Sequence, residues 1–584
     1  MILNLSMKKC VRWGMMLFFV VLAGYTTQAI GNAAQLDAKT GVLVITADRG
    51  FLGNQEIGDG FDQFAAGRNA DILYVVDVRS KSVLNEKLSG LVGKGAGKII
   101  VLPLFISTAD ARWQMVQPWL DEHENLLIAK PYGSSYLAVE DLSDRLRDVH
   151  TEKKSLLLVG YGAADAQAAQ QMKSELTQMA EFASVLTEED IQVAIYPAKS
   201  ASDNTLQQQY DAALKNSNDT LVVPVLLAHR ADSMMSFDSS LPRRVSKEAQ
   251  LVTSQFSTAN GLQQWMAYAT NEVLLQSPNV DSTDIGTIAL AHGSDWFWNQ
   301  AIRDSLVPVA KKSPLVFTFS MADQPTIERA VQDLEKKPVH GIVLVRIFGQ
   351  ASSFRPTVER MIGADVQNGQ HSGHDHSMGH GDHGGHVGMM MSHGDHAAMS
   401  TLAASPRIRT SLPIVTVGGV EDSPYFAKSL LANARSISVD PPRETIILTA
   451  HGAGADADNE QWYQLLESLA TQMKNEEGYN FKDIRYVTWR EDWLEKSKPE
   501  LAKARKWVSE INKTGGRVLI VPARTNGRGA ANVYLKGLNF GWSQGFAQTP
   551  YLSRWFEDQI MLGISQLTGE KQTSKSSPEG HHMH

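Results

Sequence analysis

The chain holds a single cysteine, Cys10, in 584 residues. A disulfide framework, a thiolate metal centre and a cysteine nucleophile are thereby excluded beyond the first residues, so any metal must be bound by His, Asp, Glu or Met. Positive charge is scarce too. Lys and Arg number 55 against 63 Asp and Glu, a formal net charge of -8, and no basic run occurs past the amino terminus. Nucleic-acid partners need a clustered basic surface, so that class is set aside. Long apolar runs are missing as well: Trp13–Ala23 is too short for a comfortable membrane span. Preceded by Lys8, Lys9 and Arg12 and followed by small residues, it reads as the core of an export signal over residues 1–33, with cleavage after Ala29 or Ala33. Tyr25 stands where a lipidated cysteine would be needed. The expectation is an exported protein, periplasmic or extracellular, with no stable span once the signal is removed.

What is present is a repeat. Four apolar runs, each followed by a polar or glycine turn and a helix-like stretch, start at Gly41 (GVLVITADRG), Ser155 (SLLLVGYGAA), Gly286 (GTIALAHGSD) and Thr445 (TIILTAHGAG). The last interval is the longest, and it contains the low-complexity stretch 366–409. Without that stretch it matches the first interval to within one residue. A period this long marks repeated domains rather than a solenoid. The expected lobes are residues 41–150, 151–280, 284–440 (carrying the insertion 366–409) and 443–570, with a disordered tail at 571–584.

In the fourth repeat the pattern predicts strands at Thr445–Ala450, Ile484–Trp489 and Val518–Pro522. Helices are predicted at Asn459–Lys474, Pro499–Ile511 and Tyr551–Leu567. The strands are continuous apolar runs, as expected where helices cover both faces of a parallel sheet. The fold class is α/β: four flavodoxin-like parallel-sheet lobes paired into two bilobal modules. Ligands of such folds sit beyond the carboxyl ends of the strands, so the residues after each strand are the ones to inspect.

Leu290-Ala-His-Gly-Ser294, directly after a first strand, resembles the opening motif of class II tetrapyrrole chelatases of the sirohydrochlorin cobaltochelatase kind. The stretch Gly341-IVLVRIFG through Arg355-PTVERMIG to Leu412-PIVTVGG is similar to that family's later half, and Ile99-IVLPLFIS and Leu221-VVPVLLAHR are similar third strands. The resemblance implies two-lobed chelatase modules that insert a divalent metal (Co, Ni or Fe) into a tetrapyrrole. It also implies a His, sometimes an acid, and a second His at the ends of strands one, two and three. Carried across, the first position is Asp48, Tyr161, His292 and His451 in the four lobes. The second is Asp77 in the first lobe, Asp323 in the third, and Glu491 or Asp492 in the fourth. The third is Asp110, His229, Gln350, and Arg524 with Asn526. No single lobe carries the full set.

Neutral imidazole both binds metal and accepts the pyrrole protons that leave as a metal enters, and a carboxylate orients or joins it. His292 and His451 are therefore the catalytic candidates, and with Glu491 and His229 the candidate metal ligands. Trp296, Trp298, Arg490 and Arg524 are candidates for holding the macrocycle. His371, His374, His376, His380, His383, His386, His393 and His396, interspersed with Asp and Met, form a second metal-binding segment. These donors suit Co, Ni, Fe, Zn or Cu without choosing among them. No organic cofactor is implied, and oligomeric state is not legible. Two functions stay open: metal insertion by the His292/His451 module, or a non-catalytic carrier of metal or tetrapyrrole on the same fold.

Overall fold

A computed structural model describes residues 39–149, 151–198, 201, 204–228, 241–277, 280–369 and 402–569. The expected export signal, His229, the histidine-rich stretch His371–His396 and the tail from 571 lie outside the described residues. Four four-stranded sheets form, every pairing parallel. The first holds β1 (Thr40–Ala47), β2 (Ala70–Val75), β3 (Lys98–Leu104) and β4 (Leu126–Ile128). The second holds β5 (Ser155–Ala163), β6 (Ile191–Pro197), β7 (Thr220–Pro224) and β8 (Gln250–Leu251). The third holds β9 (Ile285–Ala291), β10 (Leu315–Phe319), β11 (Gly341–Ile347) and β12 (Ile414–Gly418), and the fourth β13 (Glu444–Ala450), β14 (Asp483–Thr488), β15 (Arg517–Pro522) and β16 (Gly541–Trp542). Each sheet runs second–first–third–fourth, the flavodoxin-like order, so the winding reverses between its first and third strands. β1, β9 and β13 are buried along their whole length, which is why they read as unbroken apolar runs.

The lobes are paired by exchange of helices. The helix Tyr136–Arg147, which ends the first lobe, packs on Ala166–Ala183 of the second. The helix Ala259–Leu275, which ends the second, returns to pack on Gly50–Ala65 of the first. The second module repeats this: Pro424–Ile437 packs on Asp456–Asn475 and β15, while Tyr551–Thr568 packs on β11 and β12. Glycine permits the closest approaches. A Cβ on Gly60 would lie 2.9 Å from the Ala259 carbonyl oxygen, and one on Gly563 would lie 2.4 Å from Val343 Cγ1. In consequence one apolar core runs through both lobes of each module, and each sheet keeps a separate core on its outer face.

Residues 402–412 join the modules. Leu402 and Ala403 are buried in the first module's core, and Ile408 and Leu412 in the third lobe's outer core. Arg407, buried between them, meets Glu140 of the first module at 3.3 Å and Asp365 of the second at 2.8 Å. Arg409 reaches Asp141 at 2.8 Å. This strap enters the sheet at the amino end of β12, opposite to the strand ends where ligands bind. Among the described residues no helix is long and apolar enough to cross a membrane.

Candidate functional site

The two retained histidines sit in matching turns. β9 and β13 end at Ala291 and Ala450, and in each the His is followed by a glycine in the left-handed region, Gly293 (φ 80°) and Gly452 (φ 81°). A Cβ on either would lie 2.9 Å from the Cβ of a residue at the end of the neighbouring second strand, Phe319 or Thr488. The turn therefore demands glycine. His292 Nδ1 lies 2.8 Å from the Gly293 carbonyl oxygen and His451 Nδ1 3.1 Å from that of Gly452. A carbonyl only accepts, so the ring proton is assigned to Nδ1 and the Nε2 lone pair points away from the chain.

An asparagine braces each turn: the Ser294 N–H donates to Asn299 Oδ1 at 3.0 Å and the Ala453 N–H to Asn459 Oδ1 at 3.2 Å. The first lobe has the same device, with the Arg49 N–H donating to Asn54 Oδ1 at 2.8 Å. Sequence reasoning missed these three residues. Their signal is an asparagine six to eight positions beyond Asp48, His292 and His451, in three of the four repeats.

His451 has the more elaborate surroundings. Its Nε2 lies 3.2 Å from Asp492 Oδ2, both side chains about one-third exposed, and Trp493 meets the imidazole edge-on at 6.0 Å. With metal–ligand bonds of about 2.1 Å, two donors on one ion lie about 3.0 Å apart at a right angle and about 3.4 Å apart at a tetrahedral angle. The observed spacing falls within that window.

The acid at this position is thus Asp492. Glu491, the expected ligand, is instead ion-paired with Arg524 from the end of β15. Arg490 departs from expectation as well. It is buried, sits at φ 48°, and donates to the Ala453 carbonyl at 2.8 Å, to the Gly454 carbonyl and to Asp456 at 2.8 Å. Its guanidinium is spent holding the His451 loop in place and is not offered to a ligand. Hydrogen bonds from Arg490 and Lys496 hold the Asp456 carboxyl below its ordinary range.

The third lobe supplies an apolar wall. Asp295 caps the helix Trp296–Ser305, accepting from the Trp298 N–H at 2.9 Å. The cap leaves Trp296 65 % and Phe297 78 % exposed. Trp298 faces the fourth lobe, where its carbonyl accepts from Asn526 Nδ2 at 2.8 Å. Met321, two residues beyond β10, and Leu494, which opens the helix following β14, are also exposed. Large solvent-facing apolar side chains gathered at strand ends mark a ligand or partner surface. Asp323 is spent as a helix cap on the Thr326 N–H.

The first module differs at every matching position. Asp48 accepts from Asn54 Nδ2 at 2.6 Å. Asp77 is paired with Arg79, whose hydrogen bonds hold its carboxyl down at about 2. Tyr161 stacks on Tyr196 at 5.4 Å. Asp110 is buried as the cap of the helix Ala111–Leu120, and burial pushes its carboxyl up despite Arg49 and Arg112 nearby. Among the described residues no cluster of three or more His, Cys, Asp or Glu side chains is set to hold a metal ion. In the second module the described residues bring together two such side chains, His451 and Asp492.

Fold and site define a class: a doubly bilobal parallel α/β protein with an imidazole–carboxylate pair at the strand ends of its second module. No family model matches the chain, and no curated protein does. Among solved structures it is similar to SirB from Bacillus subtilis with Fe3+, at 16% identity and a TM-score of 0.29, over 40% of this chain and 95% of that one.

Proposed function

We propose that the second module binds a divalent metal at His451 and Asp492 and inserts it into a tetrapyrrole held against Trp296 and Phe297, in a compartment outside the cytoplasm. The observation that carries this reading is the 3.2 Å approach of His451 Nε2 to Asp492 Oδ2, with Nδ1 committed to a carbonyl. That arrangement presents one neutral nitrogen and one carboxylate oxygen to the same point. A metal bound by an imidazole and a carboxylate is exchanged for protons when it leaves. Insertion uses this exchange: the metal leaves for the macrocycle and pyrrole protons are taken up by the freed imidazole and carboxylate. His292, exposed with an open Nε2, is the second proton acceptor. A two-point site suits transfer, because a full ligand set would retain the ion.

The test is mature protein mixed with sirohydrochlorin and Co²⁺, Ni²⁺ or Fe²⁺, with the absorbance shift followed against a no-protein control. Acceleration that disappears in His451→Ala and in Asp492→Asn supports insertion; no acceleration by the native chain removes it. A carrier of metal or tetrapyrrole on the same fold is the second reading, favoured by the first module, whose matching positions bond to one another. It predicts bound metal and bound tetrapyrrole without acceleration.

A further inference from the structure

In each module the two lobes meet beside the strand ends through the same pair of elements: the loop after the third strand of one lobe and the first helix of the other. In the first module the loop residue is Thr108, after β3. Its N–H donates to Glu175 Oε2 at 3.1 Å and its hydroxyl donates to the same carboxylate, while Gln171 Nε2 donates to that hydroxyl at 2.7 Å. Gln171 and Glu175 both belong to the helix Ala166–Ala183. In the second module Gly349, after β11, packs against Trp462 of the helix Asp456–Asn475, where a Cβ would come within 2.6 Å of Cη2. The reciprocal contact is a hydrogen bond. Asn526, after β15, donates from Nδ2 to the Trp298 carbonyl at 2.8 Å, on the helix Trp296–Ser305.

Asn526 is built as a fixed point. It is buried, and its Oδ1 accepts from the Gly527 N–H at 2.7 Å and from Gln548 Nε2 at 2.5 Å. A backbone N–H only donates and a carbonyl only accepts, so these partners settle which end of the amide faces Trp298. The loop beneath is clamped in turn. The Phe546 N–H donates to the Arg524 carbonyl at 2.9 Å and the Ala547 N–H to the Thr525 carbonyl at 2.8 Å. A Cβ on Gly545 would lie 2.8 Å from the Arg524 carbonyl oxygen. Beyond the bond, Trp298 is followed by Asn299, the brace of the His292 turn. Behind it, Arg524 pairs with Glu491, the neighbour of Asp492. One side chain thus connects the His292 turn of the third lobe with the His451–Asp492 turn of the fourth. The chelatase pattern asks for a second His at this strand end; the residue there ties two lobes together instead.

We infer that Asn526 is a positioning residue that fixes the two lobes of the second module relative to each other, and with them His292 relative to His451. This rests on the metal-transfer reading above and deepens it. Holding the metal needs groups of the fourth lobe alone, whereas handing it over, with His292 as the second proton acceptor, needs both lobes in register. In a positioned reaction a misplacement of about 1 Å can cost about a hundredfold in rate.

Geometry and turnover are measured separately. Nitroxide labels are placed on the full chain carrying Cys10→Ser, through Gln332→Cys in the third lobe and Ala502→Cys in the fourth, both exposed on helices. Their separation is read by pulsed dipolar EPR, and the native tie should give one narrow distribution. Asn526→Asp keeps the shape and the oxygen that accepts from Gly527 but loses the N–H donor. It should broaden the distribution towards longer distances, whereas Thr108→Val, which cuts the first module's tie, should leave it as it is. In the sirohydrochlorin assay Asn526→Asp should lower kcat about tenfold or more while KM for Co²⁺ stays unchanged. Should Asn526→Asp fail to fold, Gln548→Leu, which removes a bond orienting the same amide, is expected to broaden the distribution less and in the same direction. An unchanged distribution in a folded Asn526 or Gln548 variant overturns the tie, whatever the assay shows. A broadened one with native kcat and KM overturns the positioning role. A native chain that inserts no metal overturns the transfer reading, while the distance distribution still decides the tie.

Discussion

The two modules share a scaffold and differ in what their strand ends offer. Both consist of two sheets with the same strand order, both exchange the last helix of each lobe, and both close those helices on a glycine. In the second module the first-strand position is His in both lobes, each with Nδ1 turned to a backbone carbonyl, and His451 meets Asp492 through Nε2. In the first it is Asp48, bound to an asparagine, and Tyr161, stacked on a tyrosine. The asparagine brace survives in three lobes whatever residue precedes it. The turn is thus a feature of the fold, and the ligand atom it presents is a separate choice. The first module keeps the geometry of a binding cleft while its polar groups bond to one another, which suits it to support the second through the strap at 402–412.

The shared part of this comparison carries the largest expected effect. Gly563→Leu must push a side chain into Val343, and Gly60→Leu into the Ala259 backbone. Each should cost about 1–3 kcal/mol or more, seen as a lowered unfolding midpoint in denaturant. Similar losses would show that both modules depend on the exchanged helices. A tolerated leucine at either position would mean that the exchange is not what closes that module.

The unshared part comes next. In a chain lacking residues 370–401, so that the histidine-rich segment does not mask the result, His451→Ala or Asp492→Asn should weaken Co²⁺ binding about tenfold to a hundredfold by calorimetry. Asp48→Asn and Tyr161→Phe should leave it unchanged. Undiminished Co²⁺ affinity in both second-module variants would erase the contrast between modules.

This contrast was partly legible in the sequence. The four-lobe α/β architecture came from the repeat period and from apolar runs without alternation, and the observed strands β13, β14 and β15 lie within one residue of the predicted ones. The helix expected from Pro499 begins earlier, at Leu494, because a proline near the start of a helix removes a single backbone hydrogen bond on an exposed face. The helix exchange was not legible, since nothing in a helix's own pattern says which sheet it will cover. Glu491 and Asp492 part company for a local reason. Arg490 adopts a left-handed conformation that turns the chain, so adjacent acids point to different partners, one to Arg524 and one to His451. Arg490 looked like a ligand group because its commitments are to carbonyl oxygens, which composition does not reveal.

A smaller effect follows from that arginine. Arg490→Lys keeps the charge but loses the planar fork that bridges Ala453, Gly454 and Asp456. The His451 loop should loosen, with metal affinity falling about tenfold and the overall unfolding midpoint little changed. An equal fall in the midpoint would make Arg490 a general core residue rather than one that positions this loop.

The smallest effect sharpens the first module's side. Asp110 caps a helix and faces the second lobe, where a Cβ on Gly162 would lie 2.8 Å from its Oδ2. Burial raises its folded pKa above the unfolded value. The sign follows: below the ordinary aspartate range the group is neutral in both states and costs nothing. As pH rises through the folded pKa, it ionises against its burial and stability falls to a lower plateau. Asparagine retains the capping oxygen and never ionises. Asp110→Asn should therefore melt a few degrees higher at pH 7, with the gain shrinking as pH is lowered towards the ordinary aspartate range. A loss at pH 7 would show instead that attraction to Arg49 and Arg112 outweighs the burial, and that this carboxylate is held charged inside the first module much as Asp456 is held charged at the surface of the second.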